Sequence, residues 1–320
     1  MAITLAEAKV GMADKVDQQV IDEFRRASFL LDALTFDNAV SPGTGGSTLV
    51  YGYIQLKSPS TVAVRTINSE YTAGEAKRQE KTAKLIPFGG SFEVDRVLQG
   101  TSGAIDEIQF QLTQKVKAAS NYFHNLVING TSAASGAGFV INTFDGLNKL
   151  LTGSDTEITS TVDYSDMNAN YQDLLDEIDA FLSELDGKAS MLLMNNKMLT
   201  KIRGAARRAG YYTRSEDAFG QPVENYNSIP MIDVGKYFNG TTTEDIIPIK
   251  EGKTDIYAVV VGLDGFHGIS PTGNKLINTY LPDMNAPGAV KKGEVEMVAG
   301  AVLKNSRKAG VLRGVQIQTP

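Results

Sequence analysis

Any chemistry in this chain has to come from a short list of side chains, because its 320 residues include two histidines and no cysteine. His124 stands beside Phe123 in what reads as a long helix, and His267 stands in the turn-like "GFHGIS". Neither has a second histidine or a carboxylate at the i, i+4 or H-E-x-x-H spacing that holds a metal, so both read as structural. No G-x-S-x-G elbow is present, and a serine triad would have to recruit one of the same two histidines. The glycine-rich "SPGTGGST" (41–48) has neither the lysine of a Walker sequence nor G-x-G-x-x-G spacing; it follows an amphipathic helix and reads as a hinge. In "DLLDEIDAFLSELD", Asp173, Asp176, Glu177, Asp179 and Glu184 fill the polar positions of an amphipathic helix, which makes them a solvated face rather than an acid/base pair. The basic run "KIRGAARRAGYYTR" puts Arg203 and Arg207 on one helical face near Arg208, Arg214 and two tyrosines. Its flanking helix is acidic, so it reads as a subunit contact or solvated surface, not a nucleic-acid site. No catalytic residue, cofactor site or metal site is expected, and the chain does not read as an enzyme.

Composition agrees with that reading. The net charge is −6 and the 21% of charged residues are spread evenly, so no basic domain points to tight DNA recognition. "MAITLAEAKVGMADK" lacks an apolar signal core, and no run approaches the roughly 18 apolar residues of a membrane span. The expectation is a protein made and folded in a cytoplasm, with no membrane partner. Asn129-Gly130-Thr131 and Asn239-Gly240-Thr241 then read as Asn-Gly turns, not as glycosylation sites. The length favours two lobes, or one lobe with long appendages.

The elements are legible from periodicity. Val16, Val20, Phe24, Ala27, Leu31 and Leu34 share one helical face, and Asp17, Asp22, Glu23, Arg25 and Arg26 the other. Beyond the glycine hinge, "TLVYGYIQL" and "STVAVRTI" have strand character, as does "KLIPFGGSFEV". Between them "INSEYTAGEAKRQEKTAK" (67–84) is too polar to build a core and reads as a catalytic lid, a linker, or the charged tip of a projecting antiparallel hairpin. Fifteen such residues extend about 50 Å. From 101 to 129 the spacing of Ile105, Ile108, Leu112, Val116, Ala119, Phe123 and Leu126 predicts a helix roughly 39 Å long, capped by Thr101 or Ser102. A second helix through Tyr171, Leu174, Ile178, Phe181 and Leu185 closes at Gly187. "ASMLLMN" reads as a buried strand that feeds a third helix carrying Met198, Ile202, Ala205 and Ala209. Strands follow at "DIYAVVVG", "LINTYL", "GEVEMVAGAVLK" and "GVLRGVQI", with Val295, Met297, Ala299, Ala301 and Leu303 on one face.

In order and pattern this succession resembles the major capsid proteins of tailed phages, the Hong Kong 97 fold. The resemblance rests on "VIDEFRRASFLLDALTF", "KLIPFGGSFEVDRVLQ", "NLVING", "FDGLNKLL", "MLLMNNKMLTKIR" and "FGQPVENYNSIPMIDV" ahead of "DIYAVVVG". It departs from the family in lacking the tryptophan often found in the strand that begins at Ala189. The resemblance implies an α+β fold with an N-terminal arm (1–46), an extended β-hairpin loop (47–92), a peripheral domain (93–165 and 287–305) containing the spine helix 101–129, and an axial α/β domain (166–286 and 306–320). It further implies assembly with itself as pentamers and hexamers into an icosahedral shell that encloses double-stranded DNA in a virion. A scaffolding protein and a portal are the expected partners. Glu70, Glu75, Lys77, Arg78 and Glu80 would meet complementary charges on a neighbouring subunit. Some family members join subunits through a loop lysine and an asparagine; Lys77, Lys81 and Lys84 are available, but the expectation is that no such bond forms. An encapsulin-like compartment resembles the same fold, and a cytoplasmic enzyme with a hairpin lid stands as the reading from another class.

Overall fold

The computed structural model describes residues 29–40, 49–96, 107–132, 143–166, 170–210, 213–216, 222–271 and 277–318. The N-terminal helix before Phe29, the glycine hinge 41–48 and the proposed caps at Thr101 and Ser102 lie outside them. In chain order the elements are α1 (Phe29–Ala33), β1 (Phe36–Val40), β2 (Val50–Ser58), β3 (Lys77–Lys84), β4 (Ile86–Asp95), α2 (Glu107–Asn129), α3 (Leu147–Leu151), β5 (Glu157–Thr159), α4 (Tyr171–Ser183), β6 (Met191–Met194) and α5 (Asn196–Ala209). They continue with β7 (Thr213–Glu216), β8 (Pro222–Tyr226), β9 (Ile229–Asp233), β10 (Lys236–Phe238), β11 (Thr243–Asp245), β12 (Lys253–Val259), β13 (Phe266–Pro271), β14 (Ile277–Tyr280), β15 (Val290–Leu303) and β16 (Ala309–Gln316).

Two sheets carry the body. One runs β5-β16-β12-β6-β9-β8-β7, mixed in direction, with β6–β9 and β16–β5 parallel. Its central strand is apolar along its whole length because both faces are covered. Leu192 and Met194 join Ile256, Ala258, Leu312 and Val315 under α4 and α5, while Met191 and Leu193 join Tyr257, Val259 and Val311 in the larger core on the other side. α5 starts where the Asn195 side chain accepts from the Met198 N–H and stops at Gly210, φ 78°.

The second sheet follows β1-β13-β15-β14, with β4 also paired to β15 along residues 290–299. α2 lies over it. The 23-residue helix buries Leu112, Val116, Ala119, Phe123 and Leu126, the stripe that the spacing predicts, against Phe88, Phe92, Val295 and Met297. It ends at a tight crossing, where Gly146 donates to the Gly130 carbonyl at 2.8 Å. A Cβ on Gly130 would stand 2.4 Å from the Leu126 oxygen, and one on Gly146 would stand 2.7 Å from that of Ile128. "NLVING" and "FDGLNKLL" are thus two halves of one contact. Asp145 there accepts the Ser132 N–H at 2.7 Å; burial pushes its carboxyl up, but this bond, the Ser132 hydroxyl and Lys149 together hold it below its ordinary value.

Three expectations change. "STVAVRTI" is not a strand, since residues 59–66 have no ladder partner, and "KRQEKTAK" inside the polar stretch is one, paired to β2 from Val50↔Lys84 to Leu56↔Arg78. "FHGISP" is no turn: it is fully buried β13, held between β1 and β15. The region boundaries also cut across pairing, because residue 92 falls inside β4, and β13 and β14 belong with β15, not with the sheet of β6 and β12.

Candidate assembly surface on the hairpin

The hairpin of β2 and β3 has two unlike faces, set by strand alternation. Tyr51, Tyr53 and Gln55 point to the body. The Tyr51 hydroxyl donates to Asp37 Oδ2 at 2.9 Å, that of Tyr53 to the Leu303 carbonyl at 3.3 Å, and Gln55 Nε2 to the Lys304 carbonyl at 2.8 Å. Gln79 from β3 closes the set by donating to Gln55 Oε1 at 3.0 Å. Beneath them Leu85, Ile269 and Val302 form a small cluster on the back of the sheet, against which Tyr51, Tyr53 and Ala83 pack. Burial, with Tyr51 alongside, pushes the Tyr53 hydroxyl above its ordinary value. Lys304 Nζ lies 5.3 Å from the centre of the Tyr51 ring.

The opposite face carries Ile54 and Leu56, directly across from Glu80 and Arg78. Ile54 is 70% exposed and Leu56 58%; in the loop beyond, Val62, Val64 and Ile67 are 96%, 100% and 91% exposed. That loop is not structureless. Ser69 N–H donates to the Thr66 carbonyl at 3.2 Å, Arg65 stands 5.2 Å from the centre of the Tyr71 ring, and the two limbs approach so closely that a Cβ on Gly74 would stand 2.2 Å from Thr61 Oγ1.

Of the charges singled out in the sequence, Glu70 and Glu75 lie on this loop and Lys77, Arg78 and Glu80 on β3, all exposed, and none makes an ion pair among the described residues. The exposed apolar residues were the part missed. A signal existed, since "YGYIQL" is apolar at both parities, as a strand covered on two faces would be.

The other residues singled out are mostly spoken for. Glu177 accepts the Ser160 hydroxyl at 2.8 Å and the Tyr164 hydroxyl at 2.7 Å, and Asp179 accepts that of Tyr226 at 2.8 Å. These two carboxylates therefore tie α4 to its sheet instead of only facing water; Asp173, Asp176 and Glu184 are exposed. Arg203 pairs with Glu224 at 2.8 Å. Among the described residues no three His, Asp or Glu gather as a metal requires, and no helix is long and apolar enough to cross a membrane.

No protein-family model and no curated protein matches the chain. Solved structures do. A chain of the holo-SrpI encapsulin complex from Synechococcus elongatus PCC 7942 aligns with TM-score 0.61 at 14% identity, covering 90% of this chain and 88% of that one. A chain of Mycobacterium phage Cain aligns at 0.57 and 11% identity over 89% of both, and the capsid of a native GTA particle at 0.56 and 11% over 86% and 88%. The fold is thus similar over nearly the whole chain to that of phage and GTA capsid chains and of an encapsulin: the chain has the Hong Kong 97-like capsid fold.

Proposed function

We propose that the chain is the major capsid protein of a tailed bacteriophage or prophage, assembling as pentamers and hexamers into an icosahedral shell around a double-stranded DNA genome. The observation that carries this reading is the outer face of the hairpin. Ile54, Leu56, Val62, Val64 and Ile67 leave five apolar side chains open to water along one projection, which a lone soluble chain has no reason to keep. A second copy covers it, and Glu70, Glu75, Lys77, Arg78 and Glu80 around it set register and exclude wrong partners. Residues 1–46 serve as the arm, the hairpin as the extended loop, α2 with β4 and β15 as the peripheral domain, and the sheet of β6 and β12 as the axial domain near the symmetry axes. A scaffolding protein and a portal complete the particle, which forms in the bacterial cytoplasm.

An encapsulin-like compartment is the second reading, favoured by the TM-score of 0.61 to the encapsulin chain. Negative-stain microscopy of the purified chain should show closed shells. Nuclease-protected double-stranded DNA inside particles from the native host supports the phage reading, and an enclosed enzyme supports the compartment. A monodisperse species near 34.4 kDa would overturn both and revive the enzyme with a hairpin lid.

A further inference from the structure

His267 is fully buried, yet neither ring nitrogen has a hydrogen-bond partner among the described residues. Buried polar groups are nearly always paired, so an imidazole left without a partner calls for a reason. Alternation along β13 puts it on the same face as Ile269, the face that carries the small cluster under the hairpin root. The Tyr51 ring meets it edge-on, centroids 6.1 Å apart at 80°. The ring of His267 is therefore part of the floor on which the hairpin sits.

The groups that face it come from four directions. β2 supplies Tyr51, with Tyr53 on the adjoining cluster, β1 supplies Asp37, the turn after β15 supplies Lys304, and the loop before β13 supplies the carbonyls of Gly262 and Gly265, which approach without reaching hydrogen-bond geometry. From β3, Ala83, which does not titrate, packs on the cluster of Leu85, Ile269 and Val302 on the same face. Burial, then the Lys304 ammonium, push the imidazole below its ordinary value; the two carbonyls and Asp37 pull the other way and do not prevail. A proton taken up here would set a second cation beside Lys304 in a dry contact, with the Asp37 carboxylate already engaged by Tyr51. What opposes its escape is modest: three buried residues and the hydrogen bonds of Tyr51, Tyr53 and Gln55.

We propose that His267 is an acid-released latch: while its ring is neutral the hairpin root stays docked on the β13–β15 face, and once it takes a proton from solvent the root lifts so that the cation reaches water. If the outer face of the hairpin joins copies as proposed above, the latch makes that joint acid-sensitive; the latch itself does not depend on that reading.

The absence of cysteine makes the test clean. Nitroxides on Thr82→Cys, on the outer face of β3, and on Leu263→Cys, in the exposed loop near His267, report the root-to-body distance within one full-length chain diluted with unlabelled copies. As pH is stepped down from about 7.5, where the ring is neutral, through the ordinary imidazole value of about 6.5 and below it, toward the lowered value of the docked ring, the chain with His267 should gain a longer, broader distance component. His267→Phe keeps the ring without the charge and should show no change, and His267→Lys should show the long component at every pH. A distance independent of pH with His267 in place, or an equal response in His267→Phe, overturns the latch. Should His267→Phe fail to fold, His267→Gln, which is polar but does not titrate, serves the same comparison. Because the distance lies inside one chain, a failed latch is distinguishable from a failed shell, which microscopy reads separately.

Discussion

Phe123 stacks on Phe88 with centroids 5.8 Å apart and planes within 9°, and it also meets Phe36 and Phe144. A ring packed from three sides leaves a cavity that its neighbours cannot close, so Phe123→Ala should cost about 3–5 kcal/mol and Leu112→Ala about 2–5. Gln114, exposed on the same helix, should cost little as alanine. Denaturant midpoints of the three variants compare these costs, and equal loss in all three would refute the register. His124, next in sequence, gives a pH signature. Burial lowers its imidazole to about 4, against the pull of the Val234 backbone. The unfolded chain therefore holds more protons between about pH 6.5 and about pH 4, so stability is intact above that window and falls as pH drops through it, by on the order of 3 kcal/mol at its foot. His124→Gln should flatten this slope in denaturation curves taken at stepped pH. The buried stripe of α2 was readable from the sequence because helical spacing repeats locally. The burial of His267 was not, because the ladder partners of β13 are Phe36, Asp37 and Val40 on one side and residues 300–303 on the other, and the nearby Gly265 and Gly268 look like a turn.

At the scale of the element, the hairpin shows what local pattern can and cannot say. Its existence follows from strand-forming residues on either side of a polar stretch. The limbs lie elsewhere than propensity suggests because β-propensity measures fit to a half-buried surface: "STVAVRTI" has no surface to fit, whereas "KRQEKTAK" becomes a strand by pairing with β2, bonding Gln79 to Gln55 and resting Ala83 on the body. The two-faced geometry yields a paired prediction. Ile54→Lys or Leu56→Asp changes a side chain that touches water in the single chain, so thermal melting of the unassembled protein should stay within about 0.5 kcal/mol of the parent. Assembly should be lost, because the charge lands in the joint. Tyr53→Phe removes one bond on the inner face, which typically contributes about 1 kcal/mol to stability, and should still give particles. Sedimentation of all three, run beside the parent, separates an outer joint from an inner dock; shells from Ile54→Lys would place the subunit contact elsewhere.

Across the whole molecule, the α+β class and the order of its parts were legible, since each long element announces its own period and the succession is distinctive. The partition into regions was less so: β15 is one strand of 14 residues that pairs with β4, β14 and β13 in turn, and its ladder with β4, like that of β1 with β13, joins segments about 200 residues or more apart in sequence, such as Ala299 with Ile86 and Phe36 with Gly268, that no local window compares. A subunit built in this way presents lysines on its projection, and their setting bears on how copies are held. Lys77, Lys81 and Lys84 all lie on exposed positions of β3, open to water in the single chain. An isopeptide bond between lysine and asparagine requires the ammonium to give up its proton to a carboxylate kept basic by an apolar pocket, and a water-facing strand supplies no such pocket. Copies should therefore be held by packing and charge alone. Particles boiled in detergent should run as one band near the 34.4 kDa of a single chain, and a ladder of multimers that survives boiling would show that a neighbouring copy completes the pocket around one of these lysines.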